Sequence, residues 1–493
     1  MSEKQPSFLD AATPIVVLIV LLASSVYLFG NDSSYGPNQI ALFIAAGVAA
    51  VIGLKNGYSW RSLEDAMVKG ISLSLGAVLI LLSVGALIGT WLLSGTVPTL
   101  IYYGLQILTP NWFYAASCML CGIVAMSIGS SWTTAATIGV ALIGIATGLG
   151  LSPAITAGAI ISGAYFGDKI SPLSETTNLA PAVAGADLFE HIRHMLWTTI
   201  PSIVLALLLF VLIGFNADVS SDLGRIDNIS QVLQQHFNIS LFSLVPLVVL
   251  LLMAMKKVPA FPTVFIGALL GALWALLFQQ QLLASLIATD LNVALATFKL
   301  VWQTLFAGFS MTTGNEEMDR LLSGGGMASM LNTIWLVFSA MMFGAVVEKI
   351  GLLRKFVQSI LAFAKSTGSL LTSTIVTCFA TNILTADQYM SIVMPGRMFK
   401  EEYERRGLAP VNLSRSLEDG GTITSPLIPW NTCGAYMHGV LGVNPLDYLF
   451  YAFFNLINPV LSIIYAYLGI KILRLTPPAS VQSEATAMNS SRS

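Results

Sequence analysis

Charge is scarce in this sequence. Residues 70–167 contain no Asp, Glu, Lys or Arg. Charged side chains make up 10% of the 493 residues, where soluble domains run at roughly 25%. The two signs nearly balance, at a formal −2, so no basic field is on offer to nucleic acid. Cysteine is scarce too, and four residues do not make the disulfide framework of a small secreted scaffold. Cys118 and Cys121 form a C-x-x-C, but no His or acidic neighbour completes a metal or redox site, and the pair reads as packing. No metal-protease motif, nucleophile–base pair or soluble catalytic domain is visible, which argues against a membrane enzyme.

What is abundant is apolar length. Hydrophobic residues make up 55% of the chain. Uncharged runs such as 13–30, 39–54, 71–93, 196–215, 239–255, 261–278, 327–347 and 449–470 approach or reach the roughly 20 residues that span a bilayer. The chain reads as an all-α polytopic membrane protein. The first run follows a tail with a single Lys, so it is expected to be a retained helix rather than a signal peptide.

A faint internal repeat runs through these helices. Gly89 matches Gly344, Gly150-Leu-Ser-Pro153 matches Gly407-Leu-Ala-Pro410, and Ser171-Pro-Leu173 matches Ser425-Pro-Leu427, all at nearly one offset. Inner loops retain Lys and Arg. Lys55, Arg61 and Lys69, then Lys256 and Lys257, and finally Lys471 and Arg474 put their segments inside, with both termini. The loop 216–238, with Arg225 among three Asp, goes outside. These assignments fit if 111–150 is a re-entrant hairpin from outside and 367–397 one from inside, which makes the halves inverted repeats, a recurrent carrier design. The expected organisation is an inner tail 1–11 and a first half 12–215 with its hairpin and a broken helix 153–185. A periplasmic loop 216–238 leads to a second half 239–475 with its hairpin and a broken helix 411–440. A Ser/Ala-rich disordered tail 476–493 ends the chain. That gives about ten crossings plus two hairpins. The stretch 281–325 reads as a surface helix and loop.

Polar groups at depth are then the informative residues. A charge at the bilayer centre costs about 2.5–3.5 kcal/mol even on insertion scales, so it needs a wet or protein-lined place. The segment Gly163-Ala-Tyr-Phe-Gly-Asp-Lys-Ile-Ser-Pro-Leu-Ser-Glu-Thr-Thr-Asn178 puts Asp168, Lys169 and Glu175 into apolar surroundings. Pro172 removes a backbone donor there and breaks the helix. A carboxylate at such a break can hold either a cation or a proton. The first hairpin tip offers Ser130 and Thr133, and the break itself offers Thr177 and Asn178. These are neutral oxygens suited to a hard cation, although small hydroxyl residues are also common at helix contacts. In the second half Asp387 sits alone in its tip, and Glu418-Asp-Gly-Gly-Thr-Ile-Thr-Ser-Pro-Leu-Ile-Pro-Trp-Asn431 cannot form a regular helix. Asp387, Asp419 and Asn431 are its candidate ligands. Lys169 is a candidate charge partner. His191 and His194 flank Arg193 and are read as headgroup-level residues.

At these positions the chain resembles the NhaC family of bacterial Na⁺/H⁺ antiporters. The likeness lies in Gly129-Ser-Ser-Trp-Thr-Thr134, in the segment from Gly163 to Pro181, in Asp187-Leu-Phe-Glu-His-Ile192, in Leu417-Glu-Asp-Gly-Gly-Thr422 and in Ser425-Pro-Leu-Ile-Pro-Trp-Asn431. Glu175 stands where members of that family often have Asp, one methylene further out. The resemblance implies secondary transport in the bacterial inner membrane, with Na⁺, or Li⁺, exchanged for H⁺. It implies no cofactor and no metal beyond the transported ion. The partners it implies are the lipid bilayer and small cations, with a homodimer left open. The same family includes carriers of organic acids such as malate and lactate, and of amino acids, so a Na⁺- or H⁺-coupled carrier of such a solute is the alternative.

Overall fold

The structure is a computed structural model and describes residues 6–216, 223–287, 292–314, 316–352, 354–355, 360 and 364–475. The expected tail 476–493 lies outside the described residues, as do residues 1–5 and 217–222 of the expected inner tail and outer loop. Among the described residues the chain is helical, with two isolated bridges, Phe309 to Gly324 and Leu408 to Arg474, as its β contacts. Nine single helices among them are long and apolar enough to cross a membrane, and two bent pairs, Ile226–His236 with Leu241–Met255 and Pro445–Tyr451 with Phe453–Leu468, bring the count to eleven. This is an all-α, multi-pass membrane protein. Leu28, Val51, Leu208, Leu212 and Leu277 point outward and exposed, as lipid-facing side chains do.

The backbone ends of the helices recur at one spacing. Helix Pro110–Ile128 and helix Thr367–Thr385 have the same length. The first ends on Gly129 and the second on Ala386, both left-handed at φ 70° and 57°. Each is succeeded by an extended residue, Ser130 or Asp387, whose side chain caps the returning helix. Gly150 and Gly407, both with positive φ, end the returning arms. Ser174 caps Glu175–Ala184 as Asn431 caps Thr432–Leu441. The closing residues Gly185 and Gly442 are both left-handed, and Asp187 and Asn444 cap the helices that come next in the chain. In this register Asp168 corresponds to Ser425. The match of Ser171-Pro-Leu173 to Ser425-Pro-Leu427 is therefore displaced by one helical turn. Capping fixes the alignment because it needs only a donor geometry and a positive φ, which different residues can satisfy.

Close packing in lipid relies on small residues rather than on burial from water. A Cβ on Gly163 would stand 2.0 Å from the carbonyl oxygen of Cys118, so the broken helix Pro153–Ile170 lies directly on the hairpin backbone. At the position set by the same spacing in the second half of the chain, a Cβ on Gly420 would stand 2.9 Å from the Ile375 backbone. The stretch 281–325 is more integral than a surface loop. Gly326 N–H donates to the Gly85 carbonyl at 2.6 Å, and Gly325 crowds the Gly89 backbone. The glycine run thereby packs into helix Leu75–Leu93, which side chains there would prevent.

Candidate functional site: a cavity at two hairpin tips

Helix Pro153–Ile170 ends two residues beyond Asp168 because Ser171 is extended and Pro172 comes next. The Thr177 hydroxyl takes up the freed carbonyls of Asp168 and Lys169 at 3.2 and 3.0 Å. Asn178 Nδ2 does the same for Pro172 and Ser174. The break is thus satisfied from within, as backbone at membrane depth must be. It aims the Asp168 side chain at the first hairpin tip. Asp168 Oδ2 accepts from Ser131 N–H at 3.1 Å and from the Ser131 hydroxyl at 2.7 Å. Its other oxygen, Oδ1, is buried and accepts no hydrogen bond, and the Ser174 hydroxyl also acts on the carboxylate. At the same spacing in the second half of the chain the contact joins neutral groups, Ser425 Oγ to Gln388 Oε1 at 3.5 Å.

Asp168 faces a cavity of about 430 Å³. Its floor includes Ser130, Ser131, Thr133, Gln388 and Thr432, and it extends past Glu175, Asp387 and Tyr389 to Ser74 and Lys257. Among the sequence candidates, Asp168, Glu175, Asp387, Ser130 and Thr133 therefore converge. Ser130 Oγ is engaged by Thr133, from both N–H and Oγ1. Asp387 caps Met390 N–H at 2.9 Å. The Tyr389 hydroxyl donates to Glu175 Oε2 across the cavity, joining the second tip to the first broken helix. Trp132, at the first tip and also lining the cavity, stacks on Tyr436 with centroids 4.0 Å apart, and Tyr436 Oη donates to the Trp132 carbonyl.

The other candidates stand apart. Thr177 and Asn178 support the break itself, and Asn431 caps its helix at Cys433 N–H and bonds Asn382. Lys169 turns away from the cavity into a fully buried ion pair with Asp419. The same Nζ donates to Asn458 Oδ1 at 2.7 Å, and the Thr198 hydroxyl bonds Asp419 Oδ2 at 3.2 Å. His191 and His194 are also buried, His191 Nδ1 lying 2.8 Å from Ser414 Oγ. They are not headgroup-level residues, because helix Leu188–Phe215 packs that face against Pro410–Leu417 rather than lipid. The residue that sequence reading passed over is Glu418, wholly buried with neither carboxylate oxygen partnered. Its only signal was its place beside Asp419.

The model of the Na⁺/H⁺ antiporter family matches residues 163–470, the span that contains both helix breaks. The chain is 41% identical over 92% of its length, and 94% of the relative's, to the Na⁺/H⁺ antiporter NhaC of Alkalihalophilus pseudofirmus. This chain belongs to the Na⁺/H⁺ antiporter family. Two other relatives in this family carry different names. The malate-2H⁺/Na⁺-lactate antiporter of Bacillus subtilis is 40% identical over 91% of this chain and 92% of its own length. The arginine/ornithine antiporter ArcD of Halobacterium salinarum is 36% identical over 98% of this chain and 96% of its own length. All three relatives are named as transporters.

Proposed function

We propose that the chain exchanges Na⁺, or Li⁺, for H⁺ across the bacterial inner membrane, with Asp168 as the carboxylate that takes the cation. The observation that carries this reading is the division of labour between the two Asp168 oxygens. Ser131 fixes Oδ2 with two donors, and Oδ1, buried in a residue that lines the cavity, accepts no hydrogen bond. Hydrogen bonds to the charged form hold the carboxylate in one orientation. The bare oxygen then offers a point of attack to a small hard cation, with the hydroxyl of Ser130 nearby in the cavity floor.

Exchange follows from the cost of burying charge. An empty, ionised Asp168 sealed from water would carry an uncompensated charge, whose effective penalty is several kcal/mol. A proton or a Na⁺ removes that penalty. Only loaded forms would then change access from one side to the other, and each ion would return in place of its competitor. The cavity runs beside Lys257, on the face that the Lys and Arg distribution assigns to the cytoplasm. In this reading the cap-for-cap repeats are inverted in the membrane and supply the two alternating seals. No cofactor and no chemical reaction are required.

The cavity volume supports a second reading, since about 430 Å³ far exceeds what a bare ion fills. An organic acid or amino acid moving with or against the cation would fit it, as the names of two relatives suggest. Purified protein in liposomes separates the readings. Na⁺-dependent dissipation of an imposed pH gradient without organic solute supports cation–proton exchange. A Na⁺ flux that requires malate, lactate, arginine or ornithine would replace it with the second reading.

A further inference from the structure

Behind Asp168 lies a second set of buried charges. The wide turn Glu418–Thr422 places Glu418 and Asp419 side by side in the broken helix of the second repeat. Three carboxylates, Asp168, Glu418 and Asp419, meet two cations, Lys169 and Arg415, all buried. Asp419 is taken by Lys169 and bonded by Thr198, and it is an acid that also acts on Arg415. Arg415 donates to the Lys471 carbonyl at 3.2 Å. That leaves one negative charge without a partner, to be shared between Asp168 and Glu418.

Glu418 is the less satisfied of the two. Its Oε1 and Oε2 have no hydrogen-bond partner, and the neighbouring Thr422 hydroxyl is likewise unpartnered. The groups acting on it are Thr422 on its own turn, Thr176 on helix Glu175–Ala184, and Lys169 and Asp168 on helix Pro153–Ile170. Cys378 faces it from helix Thr367–Thr385. Helix Leu188–Phe215 adds His191, which feels Lys169, and His194, which feels Arg415. Thr176 lines the cavity, and its hydroxyl lies 3.2 Å from that of Ser174, which lines it too, so a hydroxyl that acts on Glu418 stands at the cavity wall.

We propose that Glu418 holds the proton that Na⁺ displaces when it binds at Asp168. With Asp168 empty, a proton on Glu418 brings the buried set to neutrality. A Na⁺ arriving at Asp168 would leave that set with one positive charge in excess. The O–H bond of Glu418 then breaks and its proton leaves by way of Thr176 to water in the cavity. When Na⁺ departs, a proton from the cavity re-forms the bond. Cation and proton thus compete through electrostatics while occupying different carboxyls.

This inference rests on the reading of Asp168 as the cation site, and one pair of assays tells their failures apart. Wild type, Asp168→Asn, Glu418→Gln and Glu418→Asp are reconstituted in liposomes. Each is measured for ²²Na⁺/Na⁺ exchange at equal pH and for Na⁺-driven proton flux. Equal incorporation and monodisperse elution establish that each variant folds. Glu418→Gln, a permanent mimic of the protonated acid, is expected to raise the Na⁺ concentration for half-maximal Na⁺/Na⁺ exchange at least about 10-fold, to keep exchange at saturating Na⁺ within about 3-fold, and to lose proton flux at least about 30-fold. Glu418→Asp is expected to restore proton flux with a shifted pH profile. Normal proton flux in Glu418→Gln overturns the assignment. Loss of both activities in a folded Glu418→Gln even at saturating Na⁺ also overturns it, making Glu418 a cation ligand, as does an unchanged Na⁺ dependence of Na⁺/Na⁺ exchange. Unimpaired Na⁺/Na⁺ exchange in Asp168→Asn would instead sink the reading of Asp168.

Discussion

Lys169 is the chain neighbour of Asp168 but forms its ion pair with Asp419, 250 positions away. The two adjacent side chains serve different surroundings. Asp168 looks into the cavity, and Lys169 looks between helices Leu188–Phe215 and Phe453–Leu468, where Thr198 and Asn458 complete its environment. The positive charge nearest in sequence therefore leaves Asp168 Oδ1 bare.

The first prediction concerns Asp168 itself. Asp168→Asn keeps the volume and the acceptor for Ser131 but removes the titratable charge. Na⁺-driven proton flux in liposomes is expected to fall at least about 100-fold, the loss of more than about 2.7 kcal/mol, with membrane insertion unchanged. Flux within a few-fold of wild type would remove Asp168 from the mechanism.

Ser131→Ala tests the anchor. The hydroxyl gives Asp168 Oδ2 its 2.7 Å hydrogen bond, and a bond to a charged group is worth about 1.5–3 kcal/mol. The backbone N–H at 3.1 Å remains, so activity should survive while the carboxylate loosens. The Na⁺ concentration for half-maximal flux is expected to rise roughly 10-fold, since each 1.4 kcal/mol is tenfold. An unchanged value would mean that the backbone donor alone sets the geometry.

Breaking the buried pair should unfold more than it inhibits. Lys169→Met leaves Asp419 buried without its cation, and removing one partner of such a pair costs about 3–5 kcal/mol. The double variant Lys169→Met/Asp419→Leu removes both charges and is expected to recover most of that loss. Thermal unfolding in detergent is the measurement. A double variant no more stable than either single one would contradict direct pairing.

Gly163→Ala probes the close approach of broken helix and hairpin. Its methyl would sit 2.0 Å from the Cys118 carbonyl oxygen, and overpacking of this kind costs about 1–3 kcal/mol or more. The helix carrying Asp168 would have to shift away from the tip carrying Ser131. Lower thermal stability together with a weakened Na⁺ dependence is the expected result. Gly47→Ala, at a position with open space around it, should change neither.

Much of the architecture could be read from residue order. Apolar length and the absence of charge over 70–167 leave a helical membrane body as the one way to satisfy the backbone. Pro172 and the run from Gly420 to Pro429 mark where helices must break. The repeat was legible only approximately. Gly129 corresponds to Ala386 and Ser174 to Asn431, and residues that share a backbone role need not share an identity.

Carboxylates at depth are a consequence of residue order alone, because the cost of burying charge acts on any chain with this hydrophobic pattern. Which carboxylate is paired, which is anchored and which is orphaned was set by packing in three dimensions. Residues 168 and 169 point about 100° apart on α-helical backbone, and 418 and 419 likewise diverge on their wide turn, so each adjacent pair divides between two environments. The groups that fill those environments come from helices far away in the chain, such as Ser131 for Asp168 and Lys169 for Asp419. Local spacing carries no record of that packing.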